Sequence, residues 1–268
     1  MNNEVDLTDI WGDPRTYKGI KIYPILMKNI AEFYNKSYPL TIDKEGISAA
    51  FNNPQILTMS YFDFYIILIC MAINENGDKL FPTGLEDLFR LLQLVFREQQ
   101  FSIATNLQTG KPVIFIQIVR NKTVTIKGSE FDKLKEIILK QNNAYMEKPQ
   151  NLHPEVQKAI EKAIEYHNKR NKEKMATLEE QIASYSAATG KSFDEIKKMT
   201  KYQFDFGINR LSLLMSCKMI WAMSASGMIP AEDIPSWLQH IPKTNGYEDV
   251  LASKGELDKF NTDTSNNK

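Results

Sequence analysis

Between Phe101 and Lys127 the chain abandons helical periodicity for strand chemistry, and this switch constrains its architecture more than any other feature. Phe101–Asn106, Val113–Val119 and Thr123–Lys127 are short runs rich in β-branched and aromatic residues, separated by a Thr109-Gly110 turn and a polar Asn121-Lys122 turn. Connections that short can join only antiparallel neighbours, because parallel strands need a long crossover. The three runs therefore predict a meander. Val113-Ile114-Phe115-Ile116 is apolar at every position, which places that strand centrally with helices over it. The expected fold class is α+β: a small antiparallel sheet with covering helices, followed by an all-helical C-terminal domain.

Before the sheet, residues 18–25 alternate apolar and polar and read as a strand. Pro24 then suits the first turn of a helix carrying Met27, Ile30, Ala31 and Tyr34, and a second short helix includes Ile47, Ala50 and Phe51. Further helix starts are signalled by capping boxes, in which a Ser or Thr oxygen accepts a backbone N–H three residues on and an acid or amide there reaches back. Ser60 with Asp63 opens a buried helix ending near Ala72. Thr83 with Glu86 opens one whose apolar face is Leu85, Leu88, Phe89, Leu92, Val95 and Phe96. Ser129 with Asp132 opens a third, bearing Phe131, Leu134, Ile137 and Ile138, which stops at Gln141-Asn142-Asn143.

After Pro149 the pattern is purely helical. Val156, Ala159, Ile160, Ala163, Ile164 and His167 share one helical face amid Glu and Lys. Thr177 with Glu180, Ser192 with Glu195, and Thr200 with Gln203 mark three more starts, and Gly190 and Gly227 stand where C-caps belong. The last helix, about Lys201 to Ser226, is apolar nearly all round and reads as the spine of this half. Beyond Leu251 the chain is too polar to fold. The expected organisation is an α+β domain over 1–148, a helical domain over 149–251 and a disordered tail over 252–268.

Composition narrows the function. The 33 basic residues equal the 33 acidic ones, which removes the electrostatic basis for phosphate-backbone binding, so no nucleic-acid partner is expected. Cys70 and Cys217 are the two cysteines, far apart and in apolar runs, which reads as buried thiols rather than a disulfide or a zinc site. His153, His167 and His240 form no HxxxH pair, so no metal is expected. Thr189-Gly190-Lys191-Ser192 matches the end of a phosphate-binding loop, but Tyr185 replaces its first glycine and the preceding segment is helical where a strand is needed. A Gly C-cap followed by a Ser N-cap explains it better. With no Gly-x-Ser-x-Gly elbow either, neither catalytic residues nor cofactor are expected. Ile56–Ile73 is broken by Asp63 and Leu211–Met228 by Lys218, so both read as buried core helices rather than membrane spans. The opening Asn-Asn-Glu-Val-Asp lacks the features of a secretory signal, which suggests a cytoplasmic product.

One stripe invites a binding role. Met215, Met219 and Met223 lie four residues apart on the long helix, with Met228 just beyond. Methionine is flexible and polarisable, and such a stripe, if exposed, would accept an apolar helix.

Several segments together resemble phage proteins encoded among tail-morphogenesis genes, the tail assembly chaperones. They are Tyr17–Ile25, Lys127–Asn142, Thr177-Leu-Glu-Glu-Gln, Thr189-Gly, Asp194–Phe204 and Asp233–Ile241. The resemblance implies a non-enzymatic protein of the host cytoplasm that coats apolar helical stretches of the tape measure protein until the tail tube polymerises around it. It also implies that Tyr202, Phe204, Trp237 and Ile241 are positions of the partner-binding half. Such proteins often also occur in a frameshifted longer form. The larger α+β first half departs from the smaller chaperones and leaves open a structural tail or baseplate role, within the virion. An enzyme would require distant polar residues to converge in a cleft. Oligomeric state is left open.

Overall fold

The computed structural model describes residues 6–66, 76–79, 83–119, 122–144, 176–228, 230 and 236–241. The fold is α+β, with a small antiparallel sheet, helices and a helical C-terminal region. The chain divides into two compact units. The first comprises residues 1–145 together with Gly190–Ile208, and the second comprises 146–189 together with 209–268. The first unit is thus built from two separate stretches of sequence.

The first unit opens with α1 (Thr8–Trp11) and the hairpin β1 (Arg15–Tyr17) and β2 (Ile20–Ile22), where Arg15 pairs with Ile22 and Tyr17 with Ile20. The strand expected over 18–25 is therefore interrupted at its start. Lys18 and Gly19 both have positive φ, 53° and 81°, the geometry of a two-residue hairpin turn whose twist matches the flanking strands. The alternation itself survives, since Ile20 and Ile22 are buried and Lys21 is exposed. A 3-10 turn at Met27–Asn29 leads into α2 (Ile30–Lys36), followed by the short helices α3 (Tyr38–Thr41), α4 (Lys44–Ala50), α5 (Gln55–Thr58) and α6 (Tyr61–Phe64). The Ser60 hydroxyl accepts the Asp63 N–H at 3.0 Å, as half of the expected box. The stretch from there to Ala72 passes outside the described residues after Ile66.

α7 (Gly84–Phe96) buries Leu88, Leu91, Leu92, Val95 and Phe96 but leaves Leu85 and Phe89 exposed, so its inward face is rotated from the expected one. The cause is Asp87. Its buried carboxylate accepts from Lys36 Nζ, from Tyr38 Oη at 2.9 Å and from Thr83 Oγ1 at 3.0 Å. Thr83 therefore spends its hydroxyl on Asp87 instead of forming the box with Glu86. Pulling Asp87 inward carries Leu91, four residues on, inward with it.

The sheet consists of β3 (Phe101–Thr105), β4 (Pro112–Val119) and β5 (Lys122–Ile126) in the order β3-β4-β5, antiparallel throughout, with β4 central as expected. Ile114 and Ile116 are buried on one face of β4, whereas on the other face Val113 is buried and Phe115 is exposed, so the strand is not covered equally on both sides. α7 reaches the sheet through Phe101, which lies between Phe89 and Phe96 at centroid distances of 4.7 and 5.4 Å.

α8 (Gly128–Gln141) begins two residues earlier than Ser129 would allow as its cap. The Lys127 N–H donates to Glu130 Oε2 at 2.8 Å, and Asp132, expected to close the box, instead accepts the Tyr61 N–H at 2.7 Å. One helix thereby caps another. Gly128 allows the approach: a Cβ there would lie 2.3 Å from Ser60 Oγ. Phe62 and Phe131 stack beside it at 4.8 Å.

Residues Gly190–Ile208 complete this unit by backbone pairing. Met27 N–H donates to Met199 O at 2.9 Å and Lys201 N–H to Ile25 O at 2.8 Å, an antiparallel bridge between stretches far apart in sequence. α10 (Phe193–Lys198) and the first turns of α11 (Lys201–Ala225) lie here. In the second unit, α9 (Leu178–Thr189) precedes them in sequence, and α11 continues from Asn209. The face predicted over 156–167 and the polar tail after Leu251 lie outside the described residues.

Candidate functional site

The candidate surface is built on α11, whose start is closely specified. Thr200 N–H donates to Gln203 Oε1 at 2.9 Å and Gln203 N–H to Thr200 Oγ1 at 3.1 Å, completing the predicted capping box. Gln203 Nε2 also donates to Ile10 O at 2.9 Å, which ties α1 to this turn. The boxes at Thr177/Glu180 and Ser192/Glu195 form as well.

Phe204, one of the residues expected to meet a partner, is only 1% exposed and packs inside the first unit. It presents no surface. Tyr202 is half-buried and stacks nearly parallel on Phe206, at 6.1 Å, which is exposed. Burial, with the carboxylates of Asp9 and Asp6, raises the Tyr202 phenol above its ordinary value against the opposing pull of Arg15. Tyr202 therefore stays a neutral hydroxyl at physiological pH. Lys201 pairs with Asp205 one turn on and lies 5.9 Å from the Tyr34 ring centre.

From Asn209 onward α11 is in the second unit. Cys217 is its one fully buried residue here among those described, and Met215 and Met219 stand on the opposite side, 48% and 62% exposed. At about 100° per residue, a stripe spaced by four drifts about 40° at each step. Met223 is therefore carried to the edge of the open face, and it is half-buried. Ala222, Ser212 and Lys218 share that open face. Leu211–Met228 is accordingly not the fully buried core helix expected from its composition, since Trp221 and Met228 are exposed as well. In the turn at Trp237 and Leu238 both side chains are exposed, and Ile241 just beyond is half-buried. Arg210 Nη1 donates to Gln239 O at 2.7 Å, joining this turn to α11 within the second unit. Phe206, Trp221 and Arg210 were not singled out by sequence, and Lys218 was read there only as the charge that breaks the apolar run Leu211–Met228. Phe206 could have been, since it stands one turn from Tyr202.

Gly190 has a φ of 72°, and the Ser192 and Glu195 amides are spent on each other's side chains, so the Gly-Lys-Ser stretch is a cap followed by a cap. Among the described residues no group of three His, Cys, Asp or Glu side chains could hold a metal ion, and His153, His167 and Cys70 lie outside them. Among the same residues no helix is long and apolar enough to cross a membrane.

Comparison with curated proteins and with solved structures gave no match. A family model does match: residues 168–242 are similar to the YomV second domain, from a phage-derived protein family. The match spans the residues from Thr177 to Ile241 on which the sequence resemblance chiefly rests, and it supports a phage protein without specifying a tail assembly chaperone. The whole candidate surface, from Tyr202 to Ile241, thus lies in a segment similar to a phage-derived domain.

Proposed function

We propose that this chain is a non-enzymatic phage tail assembly protein, a chaperone that holds apolar helical segments of the tape measure protein in the host cytoplasm during tail morphogenesis. The observation that carries the reading is the exposure of Met215 and Met219 on the part of α11 that lies within the phage-like segment. A helix apolar on nearly every side is ordinarily enclosed, because each exposed apolar side chain forfeits burial free energy of roughly 25 cal/mol per Å². Here the open face remains available, and its methionines can repack against clients of varied shape. A transient holder needs that property more than it needs tight shape complementarity.

The test is affinity purification of tagged protein from infected cells, with mass spectrometry of the co-purifying proteins and of purified virions. The expected result is recovery with a long, helical tape-measure-like protein and absence from virions, with recovery abolished by the double substitution Met215→Glu, Met219→Glu. Retention in virions at fixed copy number would overturn the chaperone reading in favour of a structural tail or baseplate component.

A further inference from the structure

We infer that the occupant of the open α11 face is an apolar helix flanked by carboxylates, and that Lys218 selects it. This rests on reading the face as a docking surface and specifies what docks there. The chain holds 33 acidic residues, yet after Asp205 none occurs on α11 or before Glu232. Over the same stretch it keeps two cations, Arg210 and Lys218. They differ in placement. Arg210 is half-buried, on the Cys217 side of the helix, and donates to Gln239 O. Lys218 is exposed at the edge of the face that carries Met215, Met219 and Ala222.

The face therefore has two methionines at its middle and the small Ser212 and Ala222 towards its ends, with one positive charge, Lys218, on its border and no negative charge on α11 after Asp205 to oppose it. A partner helix with acids beside its apolar stripe gains attraction at Lys218, and one with lysines there gains repulsion. Ala222 and Ser212 leave room for close approach, and the methionines fill what remains. A second copy of this chain is a poorer occupant on the same ground, since its α11 would bring another apolar face bordered by lysine rather than by acid.

The experiment uses the full chain and two fluorescent synthetic helices of about 20 residues, long enough to span the face. Both have the same Leu/Ala stripe, one with Glu flanks and one with Lys flanks. Anisotropy titration at low salt is expected to show the Glu-flanked peptide bound about fivefold tighter, in line with the modest worth of exposed charge pairs. The preference should shrink in high salt. Lys218→Glu should reverse it, Lys218→Met should level it without abolishing binding, and Met215→Ser with Met219→Ser should weaken both peptides. Circular dichroism confirms that each variant is folded, which these exposed positions permit. Equal binding of the two peptides, no binding of either, or a preference unmoved by Lys218→Glu overturns the inference. So does dimerisation of the wild type that Met215→Glu abolishes. The two proposals fail separately: recovery of the tape measure without peptide preference leaves the chaperone reading standing, and peptide preference without that recovery removes it.

Discussion

Replacing Phe204 with alanine tests whether the phage-like segment is part of the first unit's core. The ring is 1% exposed in a stretch that pairs with Ile25 and Met27 through two backbone hydrogen bonds. Deleting it removes the transfer free energy of a large apolar group and leaves a cavity that the bridge to Ile25 and Met27 hinders from collapsing. Buried Phe→Ala changes cost about 3–5 kcal/mol, against a total stability on the order of 5–15 kcal/mol. Denaturant unfolding of the full chain, followed by circular dichroism, should show a lower midpoint. Hydrogen exchange should show the Met27 and Lys201 amides losing protection together, because each donates across the bridge. Met219→Ala, at an exposed site on the same helix, should change stability by no more than about 0.5 kcal/mol. A cost below about 1 kcal/mol for Phe204→Ala, or loosening confined to α9 and the end of α11, would refute the argument that residues 190–208 complete the first unit.

Gly128→Ala should destabilise by about 1–3 kcal/mol, measured by the same unfolding, since its Cβ would sit 2.3 Å from Ser60 Oγ and 2.8 Å from Ser60 Cβ and must push α6 from α8. Adding Ser60→Gly should recover part of the loss. Burial works to raise the Asp87 carboxyl, but bonds from Lys36, Tyr38 and Thr83 prevail and hold it below its ordinary 3.8. Its stabilisation is thus present above the ordinary carboxylate range and lost as pH falls through the depressed folded value. Melting temperature followed against pH should accordingly fall less steeply on acidification in Asp87→Asn, from a lower starting value. Ser192→Ala should cost about 1 kcal/mol and raise amide exchange in α10, because its oxygen accepts the Glu195 N–H and its amide is closed by the Glu195 carboxylate.

The helix starts in the phage-like segment were legible in sequence because a capping box is local: its partners are three residues apart, and Thr177, Ser192 and Thr200 form theirs as read. The β3-β4-β5 meander was legible for the same reason, since its turns leave no other pairing. The signals that misled were those in which a distant group outcompeted a near one. Thr83 gives its hydroxyl to an Asp87 that Lys36 and Tyr38 also hold, and Asp132 caps Tyr61 rather than its own helix.

Local sequence chemistry therefore determined the α+β class, the central strand, the caps at Thr177, Ser192 and Thr200 and the α11 span, because each depends on interactions within a few residues. Tertiary structure alone decided that Gly190–Ile208 packs with the N-terminal half, that Phe204 is core and that Met215 and Met219 are open. Composition shows how much apolar surface a helix carries, but which side is covered depends on what the rest of the chain brings against it.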